Sequence, residues 1–163
     1  MIVSIPESVL ARLREFPAFV RARSRAIPRA QWVQKPSPRE FALVEHACHL
    51  RDFEIEGFQL RVRRVLAEDR PEIVDFDGLA IAAARDYLAQ DPDRALDAFA
   101  SARAASVDHL ARLTHAELAR TARFPGEGVI TLARLAELLV DHDASHREEL
   151  DRLVGELREA SGA

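Results

Sequence analysis

The stretch LARLAELLVDHDASHREELDRLVGEL, residues 132–157, predicts one long amphipathic helix. Its apolar stripe advances by three or four residues at a time, which keeps these side chains on the face that packs against neighbouring helices. Two histidines four residues apart occupy places on this stripe. The stripe consists of Leu135, Leu139, His142, His146, Leu150, Leu153 and Leu157. Both imidazoles are therefore expected to point into the core.

A second long helix is predicted upstream, from about Pro38 to Leu66. Ser37 occupies the capping position, Pro38 is first in the helix and Glu40 is third, a combination that favours a helix start. Pro71 prevents the helix from continuing much further, because the residue before a proline is disfavoured in helical conformation. This helix is expected to be the longest in the chain.

Two further helices complete the predicted fold. One follows Pro6 and is expected to kink or divide at Pro17, since proline removes a helical donor and clashes one turn back. The other begins at Pro92, behind the cap Asp91. No stretch of the sequence sustains the alternation of a β-strand. We therefore predict an all-α fold, a four-helix bundle forming a single domain over residues 1–163.

Two shorter stretches connect these helices. Residues 77–90 predict one or two brief helical turns. Residues 114–130, which include Pro125 and Gly126, predict a loop with a short extended piece. Thr131 then caps the last helix.

Composition and charge narrow the function classes. The net charge is −4 and the arginines are spread along the chain, so the sequence lacks the electrostatic footprint of a nucleic-acid-binding protein. Cys48, the single cysteine, excludes an intramolecular disulfide and a thiolate metal cluster. No secretory signal precedes the first helix, and no apolar run reaches the ~18 residues of a membrane span. A cytoplasmic protein without a membrane partner is expected.

The histidine pair of the last helix suggests metal binding. Two imidazoles at positions i and i+4 have Cβ atoms roughly 5–6 Å apart, so His142 and His146 can share one ion. In the alternative interpretation, each histidine is a packed polar group that is hydrogen-bonded to a backbone or carboxylate partner. The pair alone leaves both interpretations open.

The second predicted helix offers a third nitrogen, from His46 or His49. At 100° per residue, Phe53 and Leu60 lie within about 40° of His49, which places His49 on an apolar column facing the core. His46 lies further round the helix and ranks second. Two histidines from one helix and one from another would form a three-histidine site with open coordination positions, the arrangement typical of catalytic zinc.

Charged residues near this site have two interpretations each. Glu45, Asp52 and Glu56, on the flank of the second helix, could orient a histidine or supply a fourth ligand, or could form a solvated acidic edge. Arg103 interrupts the apolar stripe of the third helix and could bind a substrate carboxylate through two hydrogen bonds. A structural ion pair with Glu45, Asp52 or Glu56 is the favoured interpretation. Asp143 is assigned to solvent or to a salt bridge.

Three stretches of the chain together resemble a known family. They are PSPREFALVEHACHLRDFE (residues 36–54), RVRRVLAEDRPEI (61–73) and GVITLARLAELLVDHDASHREEL (128–150). With their spacing they resemble the DinB-like (YfiT-type) metalloenzyme family. The resemblance implies a four-helix bundle in which one histidine of the second helix and two of the fourth bind a divalent metal. These positions correspond to His49, His142 and His146.

The resemblance also implies an activity class. Relatives of this kind resemble transferases and isomerases that use low-molecular-weight thiols, and the family commonly forms homodimers. We therefore expect a metal-dependent transferase or hydrolase that acts on a small-molecule substrate, with a low-molecular-weight thiol as the candidate co-substrate. Zinc and nickel are the expected metals and iron is a further candidate, because three histidines accept several divalent ions. A noncatalytic metal-binding or stress-related interaction module is the alternative.

Overall fold

The computed structural model describes residues 4–162, in which four long helices form a bundle, so the predicted all-α four-helix bundle is confirmed. The expected domain, residues 1–163, also includes four terminal residues outside the described range. The elements are α1 (Glu7–Arg25), α2 (Leu43–Asp52), α3 (Gln59–Ala67), α4 (Gly78–Arg85), α5 (Pro92–Arg112), α6 (His115–Leu118), β1 (Thr121–Phe124), β2 (Gly128–Thr131) and α7 (Leu132–Gly162). Within the described range, no helix is long and apolar enough to cross a membrane.

The second long helix begins at Leu43, so the predicted start at Pro38 is wrong. The Glu45 carboxylate accepts a hydrogen bond from the backbone N–H of Ala42 at 2.8 Å. This bond satisfies one of the donors that every helix start leaves free. The backbone carbonyl of Ser37 accepts a hydrogen bond from the N–H of Glu40 in a turn before the helix. A carboxylate already inside the predicted helix thus decides where the helix starts.

A π-helical turn, Phe53–Phe58, joins α2 to α3 and interrupts the predicted continuous α-helix. One extra residue in a helix rotates everything after it by about 100° relative to everything before it. Leu60, which was predicted to face the core, is therefore 44% exposed, whereas Arg61 is only 8% exposed. The turn decides which side chains of α3 enter the core.

Helix α1 runs through Pro17 without dividing, so the expected division is wrong. Proline cannot donate to the carbonyl one turn back, which here belongs to Leu13. That carbonyl instead accepts a hydrogen bond from Nη1 of Arg103 at 3.2 Å. A side chain from α5 thus supplies the donor that Pro17 lacks.

The stretch before α7 contains more regular structure than the predicted loop. After the short helix α6, β1 and β2 form an antiparallel hairpin in which Thr121 lies opposite Thr131 and Phe124 opposite Gly128. Gly126 and Gly128 have φ of +79°, a backbone conformation that favours glycine. The hairpin places Phe124 in the wall of a cavity between the helices.

A buried guanidinium links the four long helices. Arg103 of α5 is 1% exposed. Its Nε donates to Glu54 of the π-helical turn at 2.8 Å, and its two Nη atoms donate to the two carboxylate oxygens of Asp143 in α7 at 2.5 and 3.0 Å. Together with the bond to α1, these contacts use donors on all three nitrogens of the guanidinium.

The structural ion pair favoured for Arg103 is present, but the predicted partners were wrong. The predicted carboxylates all lay near the histidine of the second helix, whereas the actual partner from that helix is Glu54, which is fully buried. Asp143 also faces inward at 4% exposure and pairs with the arginine instead of meeting solvent. Polar residues of three helices therefore meet in the core.

These polar residues lie between two apolar clusters. Along α7, the buried apolar residues up to Val140 belong to one cluster and those from Leu150 onward belong to the other. Along α5, Arg103 separates Phe99 from Val107 in the same way. The bundle thus contains a buried polar layer at mid-height, and the histidines of α7 lie in it.

Replacing Arg103 with methionine should lower the free energy of unfolding by about 3–5 kcal/mol, because two buried carboxylates would lose their cation. Urea unfolding followed by circular dichroism would measure this loss. The matched control is Arg14→Met, which breaks an exposed pair with Glu7 and should cost less than about 1 kcal/mol. Similar losses in the two variants would contradict the assigned role of the buried network.

Candidate metal centre

Three histidines from two helices converge in the polar layer. Nε2 of His142 lies 3.4 Å from Nε2 of His49 and 3.2 Å from Nε2 of His146. One ligand atom from each ring lies within 4.8 Å of the others. His49 and His146 are buried, and His142 is partly exposed. The structure therefore brings together the three histidines that the sequence singled out.

Packing orients two of these rings. The ring of Phe53 stacks on His142, with centroids 3.9 Å apart and planes inclined by 11°. Gly78, the first residue of α4, lies so close to His49 that a Cβ there would stand 2.8 Å from Nδ1. Among the described residues, the Nδ1 atoms of His49 and His142 are buried without a hydrogen-bond partner. Packing against neighbouring groups, and not a hydrogen bond at Nδ1, orients these two imidazoles.

A carboxylate orients the third ring. Oε2 of Glu149 lies 3.0 Å from Nδ1 of His146 in the preceding turn of α7. The hydrogen bond with His146 lowers the pKa of Glu149. A neutral imidazole that donates its Nδ1–H to this carboxylate presents the lone pair of Nε2 to the other histidines. Our sequence analysis missed Glu149, although its position three residues after His146 was the available signal.

His46 lies behind His146 and faces its other nitrogen. The Nδ1 atoms of the two rings are 3.2 Å apart, and Nδ1 of His46 is 3.9 Å from Oε2 of Glu149. His46, His146 and Glu149 thus form a second group that could hold an ion. His146 belongs to both groups, through Nε2 in the first and Nδ1 in the second.

Within the described residues, none of the three carboxylates predicted beside the histidine of α2 forms a hydrogen bond or an ion pair with an imidazole. Glu45 caps α2 and pairs with Lys35 at 3.1 Å. Asp52 accepts hydrogen bonds from the Tyr87 hydroxyl at 2.6 Å and from Arg85 at 2.7 Å. Both side chains therefore stabilise the backbone and neighbouring helices instead of lining the histidine cluster.

Burial keeps the imidazoles of His46, His49 and His142 uncharged. Desolvation, reinforced by the neighbouring histidines, lowers the pKa of His49 to about 2 and that of His46 to about 3. The pKa of His142 is also lowered well below its usual value, mainly by burial. At neutral pH these rings carry lone pairs that are free to bind a cation.

Two cavities meet at the histidines. The larger, of about 490 Å³, has charged walls that include Arg39, Arg152 and Glu149. The smaller, of about 370 Å³, has mostly apolar walls and contains all three histidines of the first group. His146 and Phe76 line both cavities. A molecule in either cavity can therefore reach the histidine cluster.

Sequence comparison supplies the family. The sequence profile of the DinB superfamily matches residues 12–150. The chain belongs to the DinB superfamily. The family resemblance inferred from the sequence motifs is thus confirmed, while no curated protein is significantly similar in sequence to this member of the superfamily.

A solved structure has the same fold. YfiT from Bacillus subtilis superposes on this chain with a TM-score of 0.82 at 21% sequence identity, over 93% of this chain and 86% of that chain. YfiT is described as a probable metal-dependent hydrolase with an unusual four-helix bundle topology. At this level of identity the similarity establishes the fold of the bundle.

Acid should destabilise the metal-free form of this DinB-superfamily chain. An imidazole whose pKa is lowered in the folded state stays uncharged until the chain unfolds, and then takes up a proton below about pH 6.5. The free energy of unfolding should therefore fall as the pH drops from about 6.5 towards the folded-state value near 3 of His46. The loss should reach about 1.4 kcal/mol per pH unit for each such histidine.

Urea unfolding at several pH values would measure this dependence. His46→Gln should show a shallower fall between about pH 6.5 and pH 4.5, because one titrating group has been removed. The control His109→Gln, at an exposed position of α5, should follow the wild type. An undiminished slope in His46→Gln would refute the proposed origin of the acid sensitivity.

Proposed function

We propose that His49, His142 and His146 bind a divalent transition metal through their Nε2 atoms, and that the chain is a metal-dependent enzyme acting on small molecules. The convergence of the three nitrogens carries this proposal. Membership of the DinB superfamily and the description of YfiT as a probable metal-dependent hydrolase support it. Zinc or nickel is the proposed ion, with iron as a further candidate.

The spacing of the nitrogens suits a shared ion. Two nitrogens bound at ~2.1 Å to one ion lie about 3.0 Å apart at a right angle and about 3.4 Å apart at the tetrahedral angle. The separations of 3.2 and 3.4 Å from His142 fall within this range. Three such ligands leave at least one coordination position for water or substrate.

Hydrogen bonds among the imidazoles explain the short distances between them less well than a shared metal ion does. If Nε2 of His142 carries a proton, it can donate to Nε2 of His49 or to Nε2 of His146, but not to both. One buried nitrogen lone pair is then left without a hydrogen-bond donor. Unmatched buried polar atoms cost stability. A cation would satisfy all three Nε2 atoms at once, which favours metal binding over packed polar histidines.

A divalent ion at this position would supply Lewis acidity and lower the pKa of a water or thiol beside it. The protein residues prepare the site for that chemistry. Glu149 holds His146 in the tautomer that presents Nε2, and burial keeps His49 uncharged. The aromatic rings of Phe53 and Phe76 cover His49 and limit the access of bulk water.

Two reaction classes are compatible with the site. Hydrolysis needs one organic substrate, and the description of YfiT supports it. Thiol transfer needs two substrates, and the meeting of a charged cavity with an apolar one at His146 favours it, because a polar thiol and an apolar acceptor could approach from different sides. A noncatalytic metal-binding or interaction module is the alternative. The homodimer and the cytoplasmic location stay predictions.

Protein purified without a histidine tag should bind about one equivalent of zinc or nickel. His49→Ala should weaken binding by at least the ~10–100-fold typical of losing a supporting residue, whereas His46→Ala and the exposed control His109→Ala should retain it. Metal analysis after dialysis and calorimetric titration would measure this. Loss of binding in His46→Ala with retention in His49→Ala would instead favour the second group of ligands.

The metal-loaded protein should accelerate one of two test reactions relative to chelator-treated protein, the hydrolysis of a nitrophenyl ester or the conjugation of cysteine to a chloronitrobenzene. Glu149→Gln should reduce the rate or the metal affinity by about 10–100-fold, because His146 loses its orienting carboxylate. Glu148→Gln, at the exposed neighbouring position, should leave both unchanged. A fully loaded protein that is inactive towards both substrate types would favour the noncatalytic alternative.

A further inference from the structure

Arg61 is a buried cation without a carboxylate partner. It is 8% exposed, and among residues 4–162 no acidic side chain forms an ion pair with it. Its Nη2 donates to the carbonyl of Val74 at 3.2 Å. The guanidinium carbon lies 5.0 Å from the ring centroid of Phe124 and 5.4 Å from that of Phe53. Desolvation lowers the pKa of Arg61, as expected for a charge that has left water without full compensation.

The carboxylate of Asp75 acts on the charge of Arg61 from a distance but forms no ion pair with it. Asp75 is exposed, and its Oδ1 accepts a hydrogen bond from the backbone N–H of Phe76 at 2.9 Å. Arg103 shows the contrasting case, because this buried arginine forms ion pairs with two carboxylates. Buried charges are normally paired, so the state of Arg61 calls for another anion.

The backbone places Arg61 inward through the π-helical turn. In an uninterrupted α-helix Leu60 would occupy the inward position, whereas the extra residue of the turn rotates Arg61 into it. A π-helical turn inside an α-helix is often found at a functional site. Here its effect is to exchange a leucine for a cation at the wall of a cavity.

That cavity is the apolar one of about 370 Å³, and it connects Arg61 with the three histidines. Asp75 lines it too, and its remaining walls are aromatic and aliphatic, with Phe58, Phe124 and Leu139 among them. A cavity of this size suits a small organic molecule. Its walls therefore offer both a charged, planar hydrogen-bond donor and the histidine cluster.

We propose that Arg61 binds the carboxylate of a small aromatic or aliphatic monocarboxylic acid whose apolar body fills this cavity. A single uncompensated positive charge matches a monoanion, and a guanidinium suits the planar carboxylate. The apolar walls select an apolar body. The evidence for carboxylate binding is the geometry around Arg61. Only the inference that the bound acid is a substrate rests on the proposed metal-dependent function.

The test compares phenylacetate with its uncharged isostere phenylacetamide, both titrated calorimetrically into metal-loaded protein. The wild type should bind the carboxylate at least about tenfold more tightly than the amide. In Arg61→Gln this preference should fall to less than about threefold while the metal content is unchanged. The control Arg64→Gln, which alters a residue of the same helix that pairs with Glu68 outside the cavity, should keep the full preference.

Two results would overturn the proposal. One is a wild type that does not prefer the carboxylate. The other is a preference that survives in Arg61→Gln but disappears when the metal is removed, because the carboxylate would then bind the ion. A preference that depends on Arg61 in a protein inactive in the ester and conjugation assays would support the carboxylate site and refute only the proposed chemistry.

Thermal unfolding provides a second readout that a structural role would not produce. Arg61→Gln removes an uncompensated buried charge, so its melting temperature should equal or exceed that of the wild type. Arg103→Met should melt at a markedly lower temperature. A comparable drop in both variants would assign Arg61 to the stability of the fold and overturn its assignment as a ligand-binding residue.

Discussion

One buried guanidinium constrains how the long helices can pack. Arg103 of α5 donates to carboxylates of the π-helical turn and of α7, and to a carbonyl of α1 that Pro17 leaves free. Two carboxylates share one cation in the core, and burial raises the pKa of both Glu54 and Asp143. Because an unmet buried charge costs several kcal/mol, small rotations or translations of any of these helices are penalised. Apolar packing alone would tolerate such movements more readily.

The ion pairs of Arg103 also position the histidine cluster, because the two paired carboxylates are adjacent in sequence to His142 and to the phenylalanine that stacks on it. Asp143 directly follows His142 in α7, and Glu54 directly follows Phe53, whose ring stacks on His142. Fixing the two carboxylates on Arg103 therefore fixes the backbone on both sides of this stack. This packing sets the two Nε2–Nε2 separations of 3.4 and 3.2 Å, and such preorganisation would suit the proposed metal site.

The 100° spacing of an α-helix predicted which histidines face the core, but the same rule failed for residues after the π-helical turn. His142 and His146 lie one turn apart, and His49 precedes the π-helical turn, so the 100° rule places all three correctly. Beyond Phe53 the same rule misplaces Leu60, because a single inserted residue is invisible in the pattern and shifts every later position. The partners of Arg103 and the capping role of Glu45 escaped prediction for another reason, since both depend on which chain segments meet in three dimensions.

The two buried arginines show how the fold separates stability from binding. Arg103 is satisfied by the protein and lies away from both cavities, so its contribution is to hold the helices. Arg61 is held by one carbonyl and two aromatic rings, and it lines the cavity that leads to the histidines. The unpaired guanidinium of Arg61 and the unpartnered Nδ1 atoms of His49 and His142 belong to residues that line one cavity. Unmet polar groups around a cavity are expected where a protein gives up stability to bind something else.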